Sequence, residues 1–304
     1  MRLSVNLFFI FSSLLMLAAC SDSSDSKPDD PLPEYDFSAV DARLQQFIDD
    51  RDYTEGISIT IVDRVQGTVH EAAFGDHPEN IVVLLASVSK FASVSLLMAI
   101  DEDDSIDFDI DAPIRNYLPW EGVYGEPTTA QLLSNTSGIP GGWLRDIGLY
   151  GVHNCQYDPD FDFEECSKLI YSTELPASNP PGTAFDYGGS QWHLAGAVAT
   201  QVTNSDWNQA FDKYVAEPCE LEVYRYGNMF DRGSEFTGQP DSLGGLANPQ
   251  PGRGGISSMR DMAKLLLLHI REGKCGNNNV LSQDAVRAMQ VNRIEGLTNL
   301  FFPG

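Results

Sequence analysis

The sequence predicts a two-lobed α/β domain, and three observations carry that expectation. Residues 57–62 alternate and are rich in β-branched side chains, and residues 68–74 return after a turn at residues 63–67, which reads as a strand hairpin. An apolar run at residues 91–100 then has the length and character of a buried helix. From residue 112 to residue 251 the pattern is mainly helical, so a helical lobe is expected to be inserted into a sheet lobe. A cleft belongs at such a junction.

Composition narrows the class. The 304 residues are 42% hydrophobic, enough for one large domain or two modest ones. A formal net charge of −25 argues against nucleic acid or an anionic lipid surface as partner. Acidic residues crowd positions 101–111, where Asp107, Asp109 and Asp111 alternate like the start of a calcium loop. The position that needs glycine holds Ala112 and the one that needs glutamate holds Leu118, so this is read as a solvated acidic turn. No cysteine or histidine spacing points to a metal, and no cofactor is expected.

Taken in order, the chain opens with Arg2 and an apolar run at residues 5–19, too short for a good membrane span. It ends in Leu17-Ala18-Ala19-Cys20, which resembles the lipobox of a bacterial lipoprotein signal peptide. Residues 1–19 are therefore expected to be removed and Cys20 to carry acyl chains that anchor the protein to a membrane. Ser21, rather than Asp, is the residue expected with outer-membrane sorting, facing the periplasm. Residues 20–35 read as a flexible tether and residues 36–304 as the folded domain. Export makes disulfides plausible among Cys155, Cys166, Cys219 and Cys275. Three pairings are possible; Cys155–Cys166 would close a short polar excursion, and Cys219–Cys275 would tie Pro218 to the loop after a late helix.

The folded part is expected to start with Ser38 as N-cap and Val40, Leu44, Phe47 and Ile48 on one helical face. The hairpin follows, then Ala86-Ser87-Val88-Ser89-Lys90 ahead of the apolar helix. Ser87 and Lys90 form an S-x-x-K pair, three apart and so on one helical face. A helix start offers free N–H groups, and a lysine in an apolar setting loses affinity for its proton. Lys90 would then accept the proton leaving Ser87. The same four-residue pattern at Ser24 and Lys27 lies in the tether, so the pair alone decides little. Residues 128–138 read as a capped short helix ending at Gly138.

Together these segments resemble the family of class C β-lactamases, low-molecular-weight penicillin-binding proteins and related serine esterases. Residues 56–62, 86–90, 110–119 and 129–140 match the family's first strand, its A-S-x-[ST]-K nucleophile segment, D-x-[ILV]-x-x-Y-L-P, and T-x-x-x-L-L-x-[HN]-T-S-G-[IL]-P in order. Residues 181–187 resemble its P-G-x-x-F-x-Y, and residues 254–263 its G-G-[IL]-x-S-[TS]-x-x-D-[ML]-A. The resemblance implies a β-lactamase/transpeptidase-like sheet lobe with an inserted helical lobe. It implies Ser87 as nucleophile, with Lys90 and Tyr187 as the alternative bases around it, and Gly188 and Gly189 in the substrate-binding wall. Ser87's own N–H would supply half of an oxyanion hole.

Two departures stand out. The family's Y-x-N reads Tyr187-Gly188-Gly189 here, which is expected to leave a wider, less polar wall. The family's third motif, K-T-G or H-x-G, should follow a helix near residues 282–289; Lys274-Cys275-Gly276 comes before it, so the sheet is expected to be incomplete in this chain. Among the histidines, His70 and His269 read as structural, while His153 and His193 are the ones in reach of the cleft. Asn135 reads as a loop tie. The function expected is a serine hydrolase, exported and lipid-anchored through Cys20, acting as a monomer on a small ester, β-lactam or D-amino peptide. A non-catalytic binding protein of the cell envelope is the alternative.

Overall fold

Asp36 accepts the Ser38 N–H at 2.9 Å and so starts the first helix, α1 (Ser38–Asp49). Ser38, the expected cap, is instead the first helical residue, because the aspartate two positions earlier reaches the same donor. The structure is a computed structural model and describes residues 31–51, 55–228 and 235–300. The fold lies within residues 36–304. The expected signal peptide, Cys20 and most of the tether lie outside the described residues.

The hairpin is as the alternation predicts: β1 (Gly56–Asp63) pairs antiparallel with β2 (Gly67–Gly75), Ile59 opposite Ala72. Leu44, Phe47 and Ile48 of α1 are half-buried, and α1 packs on β2. His70 fastens that contact: its ring stacks on Phe37 at 4.5 Å and hydrogen-bonds Asp41 at 2.7 Å, so it is structural as expected.

The chain continues through β3 (Val82–Leu84), α2 (Ser89–Asp101), α3 (Thr129–Leu133), α4 (Trp143–Asp146) and α5 (Phe163–Ser172). Then come β4 (Ala184–Phe185), α6 (Gly189–Thr203), α7 (Trp207–Phe211), β5 (Arg225–Tyr226) and β6 (Gly255–Ser258). Last are α8 (Met259–Ile270), β7 (Lys274–Cys275), β8 (Asn278–Asn279), α9 (Gln283–Ala288) and β9 (Thr298–Asn299). The helical insertion is as expected, with one refinement: β5 leaves it to join an antiparallel sheet in the order β3-β6-β5. β4 and β9 pair in parallel, and β7 and β8 make a tight antiparallel pair. Lys274 is thereby spent on a surface hairpin.

Helix α2 is buried nearly all round, which is the signature of a core helix. Ala92, Leu96, Leu97 and Ile100 are essentially inaccessible, and α6 contributes Leu194, Ala195, Ala197 and Val198 to the same core. Gly196 permits the close approach on α6, since a Cβ there would sit 2.6 Å from the Pro251 ring. Helix α3 carries a full capping box, Thr128 with Gln131, but ends at Leu133, earlier than expected. Asn135 takes the left-handed conformation and turns the chain away, leaving Gly138 in the loop beyond. Near the end of the sheet, buried Asp261 accepts the backbone N–H groups of Glu222, Val223 and Tyr224 and fixes the approach to β5.

Both expected disulfides form, Cys155–Cys166 with Cα atoms 5.6 Å apart and Cys219–Cys275 at 4.9 Å. They close sequence separations of 11 and 56 residues. Loop-closure entropy then gives about 3 kcal/mol for the first and about 4 kcal/mol for the second. Replacing both cysteines of Cys219–Cys275 by serine is therefore expected to lower the urea unfolding free energy more than the same change at Cys155–Cys166. Equal losses would show that the longer loop is already restrained in the unfolded chain.

Candidate active site

The approach to Ser87 is built from backbone. The Leu85 N–H donates to the Gly255 carbonyl at 2.8 Å, which hangs the chain from β6. Ala86 then takes φ +45°, a left-handed conformation that a residue with a Cβ adopts at a cost. A short 3₁₀ turn, Ala86–Val88, runs straight into α2. Ser87 thus sits at the head of a buried helix, as the sequence predicts, and its N–H belongs to the first turn, where no carbonyl of the helix reaches it.

Three side chains converge there. Tyr187 OH donates to Ser87 Oγ at 2.6 Å, and Lys90 Nζ donates to the same oxygen at 3.4 Å. Lys90 Nζ also donates to the Gly252 carbonyl at 2.6 Å. It lies 4.6 Å above the Tyr187 ring and 5.3 Å above that of Trp192. Burial, and secondarily the Arg253 guanidinium, pull the Lys90 ammonium down to about 7. A large fraction is then neutral near pH 7, with a lone pair free to take a proton.

Tyr187 is presented by a close backbone contact. Its carbonyl accepts the Gly142 N–H at 3.1 Å, and Gly188 lies so near Gly141 that a Cβ would sit 2.7 Å from the Gly141 Cα. Asp186, just before it, is buried, accepts Trp143 Nε1 at 3.1 Å and is raised above the usual carboxylate range, chiefly by burial. Asn135 acts as the expected loop tie: its Oδ1 accepts Trp192 Nε1 at 3.1 Å and its carbonyl accepts the Asp186 N–H at 2.9 Å.

These groups open into a pocket of about 410 Å³, lined by Ser87, Lys90, Tyr187, Gly188 and Gly189 among others. Gly189 lines it as expected, but the wall is neither wider nor less polar. A Cβ at Gly189 would lie 2.1 Å from Gln156 Oε1, so the Gln156 amide occupies the space a side chain would take. Gln156 is buried, and its Nε2 donates to the His153 carbonyl and Ser190 Oγ, each at 2.9 Å.

Neither candidate histidine is available to Ser87. His153 is bound at both nitrogens, to Ser190 Oγ at 3.0 Å and the Thr173 carbonyl at 2.8 Å, and burial pulls it down to about 4. His193 lines the pocket, but it is buried against the Phe163 ring, which pulls it down to about 3. His269 packs on Phe91 and meets Ser95, so it is structural as expected. No group of three metal-ligating side chains converges among the described residues. The sequence reading missed the Gly252 carbonyl and Trp192 beside Lys90, and Gln156, Arg145 and Arg253 among the pocket's lining residues.

A family profile described as Beta-lactamase matches residues 41–299. Among solved structures, a candidate β-lactamase of Bacteroides dorei DSM 17855 superposes with a TM-score of 0.71 at 23% identity, covering 89% of this chain and 73% of that one. EstCE1, a hydrolase with promiscuous acyltransferase activity, gives 0.67 at 19% identity over 83% of this chain and 76% of its own. A D-stereospecific amidohydrolase from Streptomyces sp. gives 0.59 at 17% identity, with 83% and 76% covered. These similarities establish a shared β-lactamase/transpeptidase-like fold.

The Gln156–Gly189 contact yields a direct test. Gly189→Ala must displace an amide held by several hydrogen bonds, so it is expected to destabilise the protein by about 1–3 kcal/mol. Thermal or urea unfolding checks this, and Gly189→Ala with unchanged stability would mean that the Gln156 side chain swings aside freely.

Proposed function

The chain belongs to the beta-lactamase family, and from that premise we propose that it is a serine hydrolase that works through an acyl-enzyme on Ser87. The observation that carries the reading is the convergence of Tyr187 OH at 2.6 Å and Lys90 Nζ at 3.4 Å on one serine oxygen. In acylation, Ser87 Oγ bonds to the substrate carbonyl carbon while its proton passes to neutral Lys90. The resulting oxyanion faces the Ser87 N–H. Collapse breaks the bond to the leaving group, which takes a proton from the Lys90–Tyr187 pair as it departs. Water then repeats the sequence, releasing the acid and restoring Ser87. The Gly252 carbonyl holds one Lys90 N–H throughout, so the amine's lone pair is aimed rather than free to rotate.

Esters are the substrate class we propose first, because an alkoxide or phenoxide leaves with less help than an amine. The buried amide of Gln156 favours a second reading, a D-amino peptide or β-lactam whose own amide it would meet. Side-by-side kcat/KM for p-nitrophenyl butyrate, a chromogenic cephalosporin and a D-Ala-D-Ala peptide separates the two. An ester value below both others refutes the ester reading.

The mechanism is tested by covalent labelling of the full-length protein with an activated fluorophosphonate. Ser87→Ala is expected to abolish labelling, and Lys90→Ala and Tyr187→Phe each to slow it by orders of magnitude. The double variant should be little slower than either single, since the groups act as a unit. The pH profile follows from Lys90. Its neutral form is the base, so below about pH 7 the labelling rate should fall tenfold per pH unit, and above it the rate should level off. Wild-type labelling that is independent of pH between 5 and 8 would remove Lys90 from the role. A Ser87 that never labels would leave a cleft that only binds.

For localisation we propose a lipid anchor on Cys20 that holds the domain at the bacterial cell envelope, with Ser21 favouring the outer membrane. Cys20→Ser is expected to move the protein from the membrane fraction to the soluble fraction. A variant that still sediments with membranes like the parent would overturn the anchor.

A further inference from the structure

The wall of the Ser87 pocket continues outward into a surface unlike the rest of the molecule. Helix α4 brings Asp146 to the pocket, and the chain then turns at Gly148, φ +75°. The Gly148 N–H donates to the Arg145 carbonyl at 3.0 Å and the Leu149 N–H to that of Leu144 at 2.8 Å, the paired bonds of a glycine-closed helix end. In such an end the residue after the glycine commonly packs back on its helix. Leu149 holds that place, yet 50% of its surface stays in water, as do 58% of Ile147 and 43% of Val152.

These side chains are not on a loose segment. Tyr150 and His153, interleaved with them, are buried. Tyr150 OH lies 2.6 Å from Ser190 Oγ, and His153 Nδ1 lies 3.0 Å from the same oxygen. Tyr150 also joins Leu144, Tyr157 and Leu175 in a small apolar cluster of its own. The buried residues fix the backbone, so the aliphatic ones are held out in solvent. A surface already ordered loses little freedom when something covers it.

Charge singles out the same segment. Asp, Glu, Lys and Arg make up 21% of the chain, yet residues 147–157 hold none of the four. His153, the one histidine among them, is pulled down to about 4 by burial and is neutral at pH 7. Asp146 and Asp158, both exposed, mark the ends. An apolar centre with a charged edge suits a layer that is polar at its surface and apolar beneath. A highly charged partner would find nothing on this segment to pair with, and the net charge of −25 repels an anionic one. Elsewhere Val65, Val123 and Leu246 are exposed singly along the chain, which needs no partner.

We propose that Ile147, Leu149 and Val152 form a docking surface for a zwitterionic lipid layer and bring the mouth of the pocket to that layer. Their exposed parts enter the boundary between headgroups and acyl chains and leave water. The surface acts whether or not Cys20 is acylated. The proposed anchor strengthens it, because residues 20–35 span at most about 55 Å when fully extended and so keep the domain concentrated beside the layer.

The test uses the full-length protein carrying Cys20→Ser, so that no acyl chain on that residue contributes and failure of the anchor is separate from failure of the surface. Flotation with phosphatidylcholine vesicles gives a partition coefficient. Ile147→Ser and Leu149→Ser are each expected to lower it about tenfold, the scale for reburying a half-exposed aliphatic side chain, and together by more. Val65→Ser, on the β1–β2 turn, removes an equally exposed valine elsewhere and should leave it unchanged. Vesicles of phosphatidylglycerol should bind more weakly than phosphatidylcholine. Val152→Ser is a further variant if either of the first two does not fold, which thermal unfolding reports.

Rim variants that partition like the parent overturn the proposal, as does a loss in Val65→Ser equal to theirs. Stronger binding to phosphatidylglycerol also overturns it. A parent that is dimeric by light scattering, and monomeric once Leu149→Ser is added, would give this face to a second copy of the chain instead of to lipid. Partition requires no turnover, so its outcome is independent of whether Ser87 labels.

Discussion

Burial of one lysine organises the site. Lys90 enters the junction between α2 and the segment that leads into β6, where water that would solvate its ammonium is largely excluded. Leaving such a group unpaired there would be costly, so the chain must bring a carbonyl to it. The Gly252 carbonyl fills that need at 2.6 Å. A carbonyl accepts a hydrogen bond from either the amine or the ammonium, so the contact survives the proton transfer that the chemistry requires. A carboxylate in its place would stabilise the ammonium and hold Lys90 charged near neutral pH.

Holding that carbonyl still is the task of the serines on α2. Ser93 Oγ donates to the Pro251 carbonyl at 2.6 Å, and Tyr226 OH, within hydrogen-bond distance of both Ser93 Oγ and the Ser89 carbonyl, donates its single proton to one of them. Ser89 Oγ accepts the Gly255 N–H and donates to the Ala86 carbonyl, linking the strand to the residue before the nucleophile. The polar face of an otherwise apolar helix is therefore a clamp on residues 251–255. It explains why two serines of this helix, Ser89 and Ser93, are buried. The opposite wall has its own clamp: the Gln156 carbonyl accepts from Asn228 and Gln250, and the Cys155 carbonyl from Asn248 beside the Cys155–Cys166 bridge. Gln156 and Tyr157 are held by covalent and hydrogen-bonded restraints rather than by a strand.

The parts of this arrangement that were legible in the sequence are those set by local spacing. Ser87 and Lys90 meet because three residues make about one turn, and the β1–β2 hairpin follows from alternation. Tyr187 was legible only through its motif, since one hundred residues separate it from Ser87. What stayed hidden was either backbone or far away in the chain. Gly252 acts through its carbonyl, which every residue has. Arg145 of α4, Tyr157 and Arg253 come from three separate segments, and nothing in their spacing marks them as neighbours. Gly189 was read correctly as a missing side chain but wrongly as empty space, because the group that fills it, Gln156, arrives from another loop. The short strand β3 escaped notice because its pairing partner is far along the chain.

The two clamps bear on electrostatics as well as on geometry. A pocket that keeps Lys90 near neutrality cannot contain a fixed carboxylate close by, yet a strongly acidic protein surrounds it with negative charge at long range. Arg253 resolves that tension locally. It is near enough to Lys90 to disfavour the ammonium, and the rigid turn at residues 250–254 sets its position along with that of the Gly252 carbonyl. At distances beyond roughly a Debye length the surface carboxylates are screened, whereas the half-buried guanidinium is screened much less. The same turn therefore sets both the hydrogen bond that orients the amine and the charge that helps to deprotonate it. A change in that turn should alter orientation and proton affinity together, because the two are not mechanically separable.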